Sequence, residues 1–275
     1  MNKVYLPMIL LALAFSHGSS ATTINNFSDW GISSSDLSSS LSDVHAITED
    51  QHTYYLNPGY GGQEYDVEAI YTTWDNDYLY VGIMTGREQN PTTGWAPGDI
   101  AFDLGSDNSF EFALVTSSAT GSHSSTAGTG NPGEFYAVSE WNYGIWDENG
   151  NHVGANSSLV DKNHPTNVKT GVQTGSAASF SYSALEENGT WLSYGNWSTD
   201  KHYFISAKID LDLFLGTDDA LEDGFSIHWT ANCNNDWLLL DVPAQPTEVS
   251  EPVSLALMSL GLIGLGLHRR TQKKK

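Results

Sequence analysis

Through the middle of the chain, apolar and polar residues alternate one by one in short runs. In "EYDVEAIYTTW", Tyr65, Val67, Ala69 and Tyr71 fall on one side and Asp66, Glu68, Ile70 and Thr72 on the other, which predicts a strand. "WDNDYLYVGIMTG" places Asp75, Asn76 and Asp77 in a turn and Tyr78 to Met84 in a second strand, so the pair reads as a hairpin. "GDIAFDLG" and "SFEFALVT" predict another hairpin around Gly105 to Asn108. "GEFYAVSEW" is a further strand, and "HYFISAKIDLDLF" alternates from Tyr203 to Ile209. "GFSIHWT" and "DWLLLDV" form a last pair around Asn232 to Asn235. No helical stripe interrupts this series. Short strands joined by Gly, Asn and Asp turns predict an all-β fold, a single antiparallel β-sandwich over residues 22–243.

Three stretches do not fit the alternation. Ser33 to Ser42, "SSSDLSSSLS", is expected as a surface segment. Thr116 to Gly133 and residues near 147 to 179 offer little to bury and are expected as long loops, with Val160 and Val168 able to dock.

The two ends read differently. Lys3, the apolar run Leu6 to Phe15, and the small residues Ser19 and Ala21 have the layout of a secretory signal peptide over residues 1–21. The mature chain is then expected to start near Thr22, outside the cytoplasm. A buried N-terminal helix is the alternative, but Ser/Thr/Asn-rich sequence follows at once. At the far end, a linker (residues 244–252) leads into an apolar span from Val253 to Leu267 and a basic tail. As a helix the span would rise about 22 Å, short of a hydrocarbon core of about 30 Å. Gly261, Gly264 and Gly266 weaken it further. The basic tail favours the cytoplasmic side. The span is therefore a marginal hold on a membrane.

"SEPVSLALMSLGLIGLGLHRR" resembles the PEP-CTERM sorting signal of exopolysaccharide-producing Gram-negative bacteria. Ser250, Glu251 and Pro252 stand where that signal has Pro-Glu-Pro, and Arg269 and Arg270 supply its arginine cluster. The resemblance covers about 25 residues. It implies a transient anchor, trimming near Pro252 by an exosortase-type membrane protease, and delivery to the cell surface or extracellular matrix. A permanent anchor is the alternative.

Charge narrows the partners. Of 11 Lys and Arg and 33 Asp and Glu, six bases and one acid lie in the two ends, leaving 5 against 32 and a formal charge of −27 for the rest. Such a domain repels nucleic acid and anionic lipid. It suits divalent cations, or it stays soluble. The single cysteine, Cys233, excludes an intramolecular disulfide and reads as a small buried residue.

Candidate chemistry comes from aromatics and acids. Trp95 in "TTGWAPGD", Trp141 and Trp146 flanking Asn142, Tyr143 and Gly144, and Trp191, Tyr194 and Trp197 in "TWLSYGNWS" fall in loop-like stretches. Rings in such places can stack on the C–H faces of sugars; core packing with a satisfied N–H is the alternative. Trp95, Trp141, Tyr143 and Trp146 are the expected carbohydrate platform, and Trp74, Trp229 and Trp237, in strand-like runs, are expected in the core. Asp66 and Glu68 share one strand face and Asp99 and Asp103 another, and two carboxylates so spaced can chelate a hard cation; Asp99 and Asp103, with Asp107 in the following turn, are the candidate ligands for calcium. Solvated carboxylates or turn caps are the alternative reading, and a general acid/base pair for glycoside cleavage is a distant third. The EF-hand loop, nucleophile elbow, zinc helix motif and phosphate-binding glycine loop are absent from the sequence, so no enzyme is expected. His228 reads as a satisfied core or turn histidine.

The first two hairpins are similar to those of the DOMON-like sandwich superfamily, which includes family 9 carbohydrate-binding modules. The matching positions are Asp75, Leu79, Tyr80, Val81, Asp99 and Asp103, within about 55 residues. The resemblance implies a jelly-roll-type sandwich that binds carbohydrate without acting on it, such as exopolysaccharide in a biofilm matrix. A structural or adhesive matrix protein with no sugar site is the alternative.

Overall fold

The computed structural model describes residues 24–49, 62–119, 128–155, 157–195, 201–214, 221 and 223–244. The expected signal peptide, Trp197, Ser250, Glu251, Pro252, the apolar span, Arg269 and Arg270 lie outside the described residues. Among the described residues, no helix is long and apolar enough to cross a membrane.

The first strands are β1 (His45–Thr48), β2 (Val67–Trp74), β3 (Tyr78–Thr85), β4 (Ile100–Leu104), β5 (Phe112–Leu114) and β6 (Glu134–Tyr143). They are followed by β7 (Pro165–Ser176), β8 (Ser179–Ala184), β9 (Glu186–Glu187), β10 (Thr190–Trp191), β11 (Tyr203–Asp210), β12 (Gly224–Thr230) and β13 (Trp237–Pro243). A five-stranded antiparallel sheet runs β1-β2-β3-β11-β8, a six-stranded one runs β13-β12-β4-β5-β6-β7, and β9 pairs with β10. Short 3-10 turns occupy Phe27–Trp30, Gly62–Tyr65 and Leu211–Phe214. The all-β, two-sheet architecture agrees with the sequence pattern.

The inner faces meet in one core. Leu79, Val81, Ile83, Ile205 and Ile209 from the first sheet pack on Ile100, Phe102, Phe135, Phe225, Ile227 and Trp229 from the second. The alternation in β2 is not as simple as the sequence implies. The ladder shifts between Val67 and Ala69, with Val67 opposite Thr85 and Ala69 opposite Met84. This bulge at Glu68 reverses the parity, because an extra residue moves every later side chain to the other face. Val67 and Ile70 therefore face the core together, while Ala69 and Tyr71 face outward.

The outward face of the five-stranded sheet is also covered. Trp30 and Leu37 are fully buried against Tyr71, Tyr80, Met84 and Phe204. The Tyr71 hydroxyl donates to the Leu37 carbonyl at 2.6 Å. The serine-rich segment is thus exposed only in part: Leu37 is its anchor, and the serines face water around it.

The second half of the second expected loop is ordered as strand. Residues 165–176 form β7, a twelve-residue edge strand on β6, and Ser179 begins β8. Edge strands with one wet face need few apolar residues. Only Pro165, Thr166, Asn167 and Val168 of β7 are buried, so alternation gave no cue.

Candidate functional site

One end of the sandwich gathers the chemistry. There β2 and β11 begin and β3 ends, as the pairing of Thr85 with both Val67 and Tyr203 requires. From the other sheet, Pro97, just before β4, bridges to Ala231, just after β12. Asp236 then joins the sheets: its carboxylate accepts the Val67 N–H at 2.7 Å.

An open cleft of about 380 Å³ lies at this end, lined by Gln63, Glu64, Gly86, Glu88, Lys201 and Tyr203. Trp191 meets the Tyr203 ring edge-on at 5.3 Å, and the Lys201 ammonium lies 5.8 Å from the Trp191 ring. The wall behind the cleft is braced by Arg87, whose side chain is fully buried. Arg87 pairs with Glu64, donates to the Thr93 carbonyl at 2.8 Å and lies 4.8 Å from the Tyr65 ring centroid. The Tyr65 hydroxyl accepts the Trp95 N–H at 3.3 Å, and the Tyr182 hydroxyl donates to the Arg87 carbonyl at 2.6 Å. Gln63 also donates to buried Glu68, whose oxygens lie 2.8 and 3.1 Å from His202 Nδ1. Burial, then the charge of Glu88, raises the Tyr203 phenol above its ordinary range. Its hydroxyl is therefore a neutral donor at physiological pH.

The expected platform is divided. Trp95 and Trp146 pack together with Tyr65, Ile145, Ala231 and Cys233 beside the cleft wall. The Trp146 indole donates to Asn235 Oδ1 at 2.9 Å. Trp141 belongs to a separate patch with Ala113, Val115, Tyr136 and Val168, and donates to the Phe110 carbonyl at 2.8 Å. Tyr143 stands opposite Pro165 where β6 ends. Trp74 packs partly buried against the core and Trp229 is fully buried, whereas Trp237 stacks on His164 at 3.8 Å outside it. Tyr194 is buried against Phe27.

The acids also regroup. Asp99 is buried and accepts the Thr116 N–H at 3.2 Å and the Val168 N–H at 2.9 Å. Burial outweighs those two bonds and pushes its carboxyl up to about 7. Asp103 sits at the other end of β4, about 13 Å away at strand rise, so the two cannot share one ion. Asp103 and Asp107 converge instead with Glu111 within 4.8 Å. These three close their own turn: Asp103 accepts from Asp107 and Asn108 N–H, Glu111 from Leu104 and Asp107 from Ser109. At the cleft end, Glu49, Asp66 and Asp236 form a second group of the same span. Burial, then repulsion from Asp236, holds the Asp66 carboxyl far above its usual range.

Cys233 is buried, and burial pushes its thiol up to about 12. His228 is buried with Nε2 3.3 Å from His164 Nδ1, and neither oxygen-rich group includes it.

Sequence reasoning passed over Tyr203, Lys201, Gln63, Glu64 and Glu88. They come from three separate segments, so no motif joins them. One cue was present: Arg87 and Lys201 are two of only five bases between the chain's ends. Comparison with known proteins finds no matching family, no matching curated protein and no matching solved structure.

Proposed function

We propose that the protein is an exported, non-catalytic carbohydrate-binding protein of an exopolysaccharide matrix, and that the cleft lined by Tyr203, whose ring Trp191 meets, is its sugar site. The observation carrying this reading is the aromatic corner, ring centroids 5.3 Å apart, set beside an amide, two carboxylates and an ammonium. Sugar rings need an apolar face to stack on and directional partners for their hydroxyls, and that corner offers both. The volume, about 380 Å³, lies at the lower end of ordinary small-ligand sites and suits a short stretch of polysaccharide. Glu64, tied to Arg87, serves as a wall and not as a catalytic acid. Weak binding per molecule, micromolar to millimolar at about 4 to 8 kcal/mol, is offset by many copies along a polymer.

The resemblances to DOMON-like hairpins and to the PEP-CTERM signal support the same reading. Residues 1–21 direct export, residues 253–275 hold the chain briefly at the inner membrane, and an exosortase trims it near Pro252 before release. Affinity electrophoresis through gels containing the producer's own exopolysaccharide tests the binding: retarded migration supports it, and unchanged migration in that gel and across a glycan array returns the protein to a purely structural role. Release of reducing ends from the polysaccharide would favour a hydrolase instead. The intact mass of the secreted protein tests the processing, since a chain still ending in Lys275 contradicts it.

A further inference from the structure

Two groups of three carboxylates draw their oxygens together, and they differ in how those oxygens are used. At the β4–β5 turn, Asp103, Asp107 and Glu111 each accept at least one backbone N–H. Those hydrogen bonds explain the convergence without an ion. In the group of Glu49, Asp66 and Asp236, Asp236 accepts the Val67 N–H, but Asp66 has no such bond. Asp66 is 0% exposed, and neither of its carboxylate oxygens accepts a hydrogen bond; the adjoining Asp236 carboxylate can bond it only through a shared proton. Ionising Asp66 there, beside two more carboxylates, would cost several kcal/mol, so the carboxyl keeps its proton unless a cation replaces it.

Distance points to what is shared. One oxygen from each of the three residues lies within 4.8 Å of the others. Oxygens bound to one calcium at about 2.4 Å are at most about 4.8 Å apart, so the spacing fits a common ion. The donor set is all oxygen, with no histidine or cysteine in the group. Three carboxylates can offer up to six oxygens, which suits the six to eight that calcium takes better than the water-rich octahedron of magnesium. The strands involved explain what an ion would hold. Glu49 follows β1, and its N–H donates to the Glu68 carbonyl at 2.8 Å. Asp66 precedes β2, while Asp236 precedes β13 and binds the first amide of β2.

We propose that Glu49, Asp66 and Asp236 bind one calcium ion that fastens the start of β2 in the five-stranded sheet to the β12–β13 turn of the six-stranded sheet. This site is separate from the Asp99, Asp103 and Asp107 expectation and does not depend on the carbohydrate reading. Its role is structural: it sets the junction behind Gln63 and Tyr65, which shape the cleft wall.

The test uses the full chain, stripped with EDTA and melted with and without added calcium chloride. The wild type should gain about 5–10 °C when calcium stands a hundredfold above its dissociation constant. Native mass spectrometry should show one bound calcium. Asp66→Asn should lose both the gain and the ion, yet fold without calcium about as stably as stripped wild type, because it replaces a carboxyl that is neutral there when no ion is bound. Asp236→Asn should likewise lose the gain, and Asp107→Asn should keep it. The proposal is overturned if wild type shows no gain, if Asp66→Asn retains it, if magnesium alone produces it, or if Asp107→Asn abolishes it. The first of these outcomes means that Asp66 and Asp236 share a proton instead.

Discussion

The guanidinium of Arg87 lies 4.8 Å from the centroid of the Tyr65 ring, while the hydroxyl of that same ring accepts the Trp95 N–H at 3.3 Å. Tyr65 therefore joins the cleft wall to the Trp95 and Trp146 cluster. The two contacts can be separated by mutation. Tyr65→Phe keeps the ring under Arg87 and loses only the hydroxyl, so it should cost about 1 kcal/mol. Arg87→Met also loses the Glu64 pair and the bond to Thr93, and should cost about 2 kcal/mol or more. Urea unfolding of both variants checks the order; an Arg87→Met that unfolds together with wild type would mean that the guanidinium contributes nothing beyond its stem.

Gly98 is a second joint, just before β4. A Cβ there would come within 2.3 Å of the Thr230 carbonyl oxygen and 2.4 Å of that of Thr166. Its own carbonyl accepts the Trp229 indole at 3.0 Å and the Thr116 hydroxyl at 2.6 Å. Backbone on both sides cannot yield as a side-chain tip can. Gly98→Ala should therefore destabilise by about 3 kcal/mol, seen as a fall of roughly 6–12 °C in Tm. A variant melting with wild type would show that the strands can part at no cost.

Two buried groups give opposite pH dependences. Asp99 has its folded pKa raised to about 7. Between about pH 4 and 7 the folded state holds a proton that the unfolded chain has lost, so this group's contribution falls as pH rises through that window. His228 is the reverse: burial, then the charge of His164, lowers its pKa well below the ordinary value. Its contribution is present above about 6.5 and is lost as pH falls below it. Stability measured by urea at stepped pH separates them. The advantage of wild type over Asp99→Asn should shrink from pH 4 to 7, and wild type should lose ground to His228→Phe from pH 6.5 to 5. Parallel curves for either pair would contradict the assignment.

The hairpins were legible because their turns carry their own chemistry. Asp75 accepts the N–H groups of Asp77 and Tyr78 at 2.9 and 2.8 Å, an Asx turn that the spacing in "WDND" announces. The bulge at Glu68, by contrast, leaves no mark in an alternating run. β7 was hidden because an edge strand can be mostly Thr, Gly and Gln. Leu37 was hidden among serines, because its burial depends on the distant Tyr71 and Phe204. Near the cleft, the sequence pointed to Trp95 and Trp146 from their loop-like surroundings, and the fold packs both beside the cleft wall. The same cue selected Trp141, whose indole is taken by the Phe110 carbonyl. Tyr203 opens a regular strand, and only the fold shows that it lines a cleft.

The sugar site is tested most directly by isothermal titration of the producer's exopolysaccharide fragments into wild type, Trp191→Ala/Tyr203→Ala and Trp141→Ala, each first shown to melt cooperatively. Removing the aromatic corner should weaken binding at least tenfold, about 1.4 kcal/mol, while Trp141→Ala binds as wild type does. Undiminished binding by Trp191→Ala/Tyr203→Ala, or a loss confined to Trp141→Ala, would contradict the account and move the site to the outer face of the six-stranded sheet.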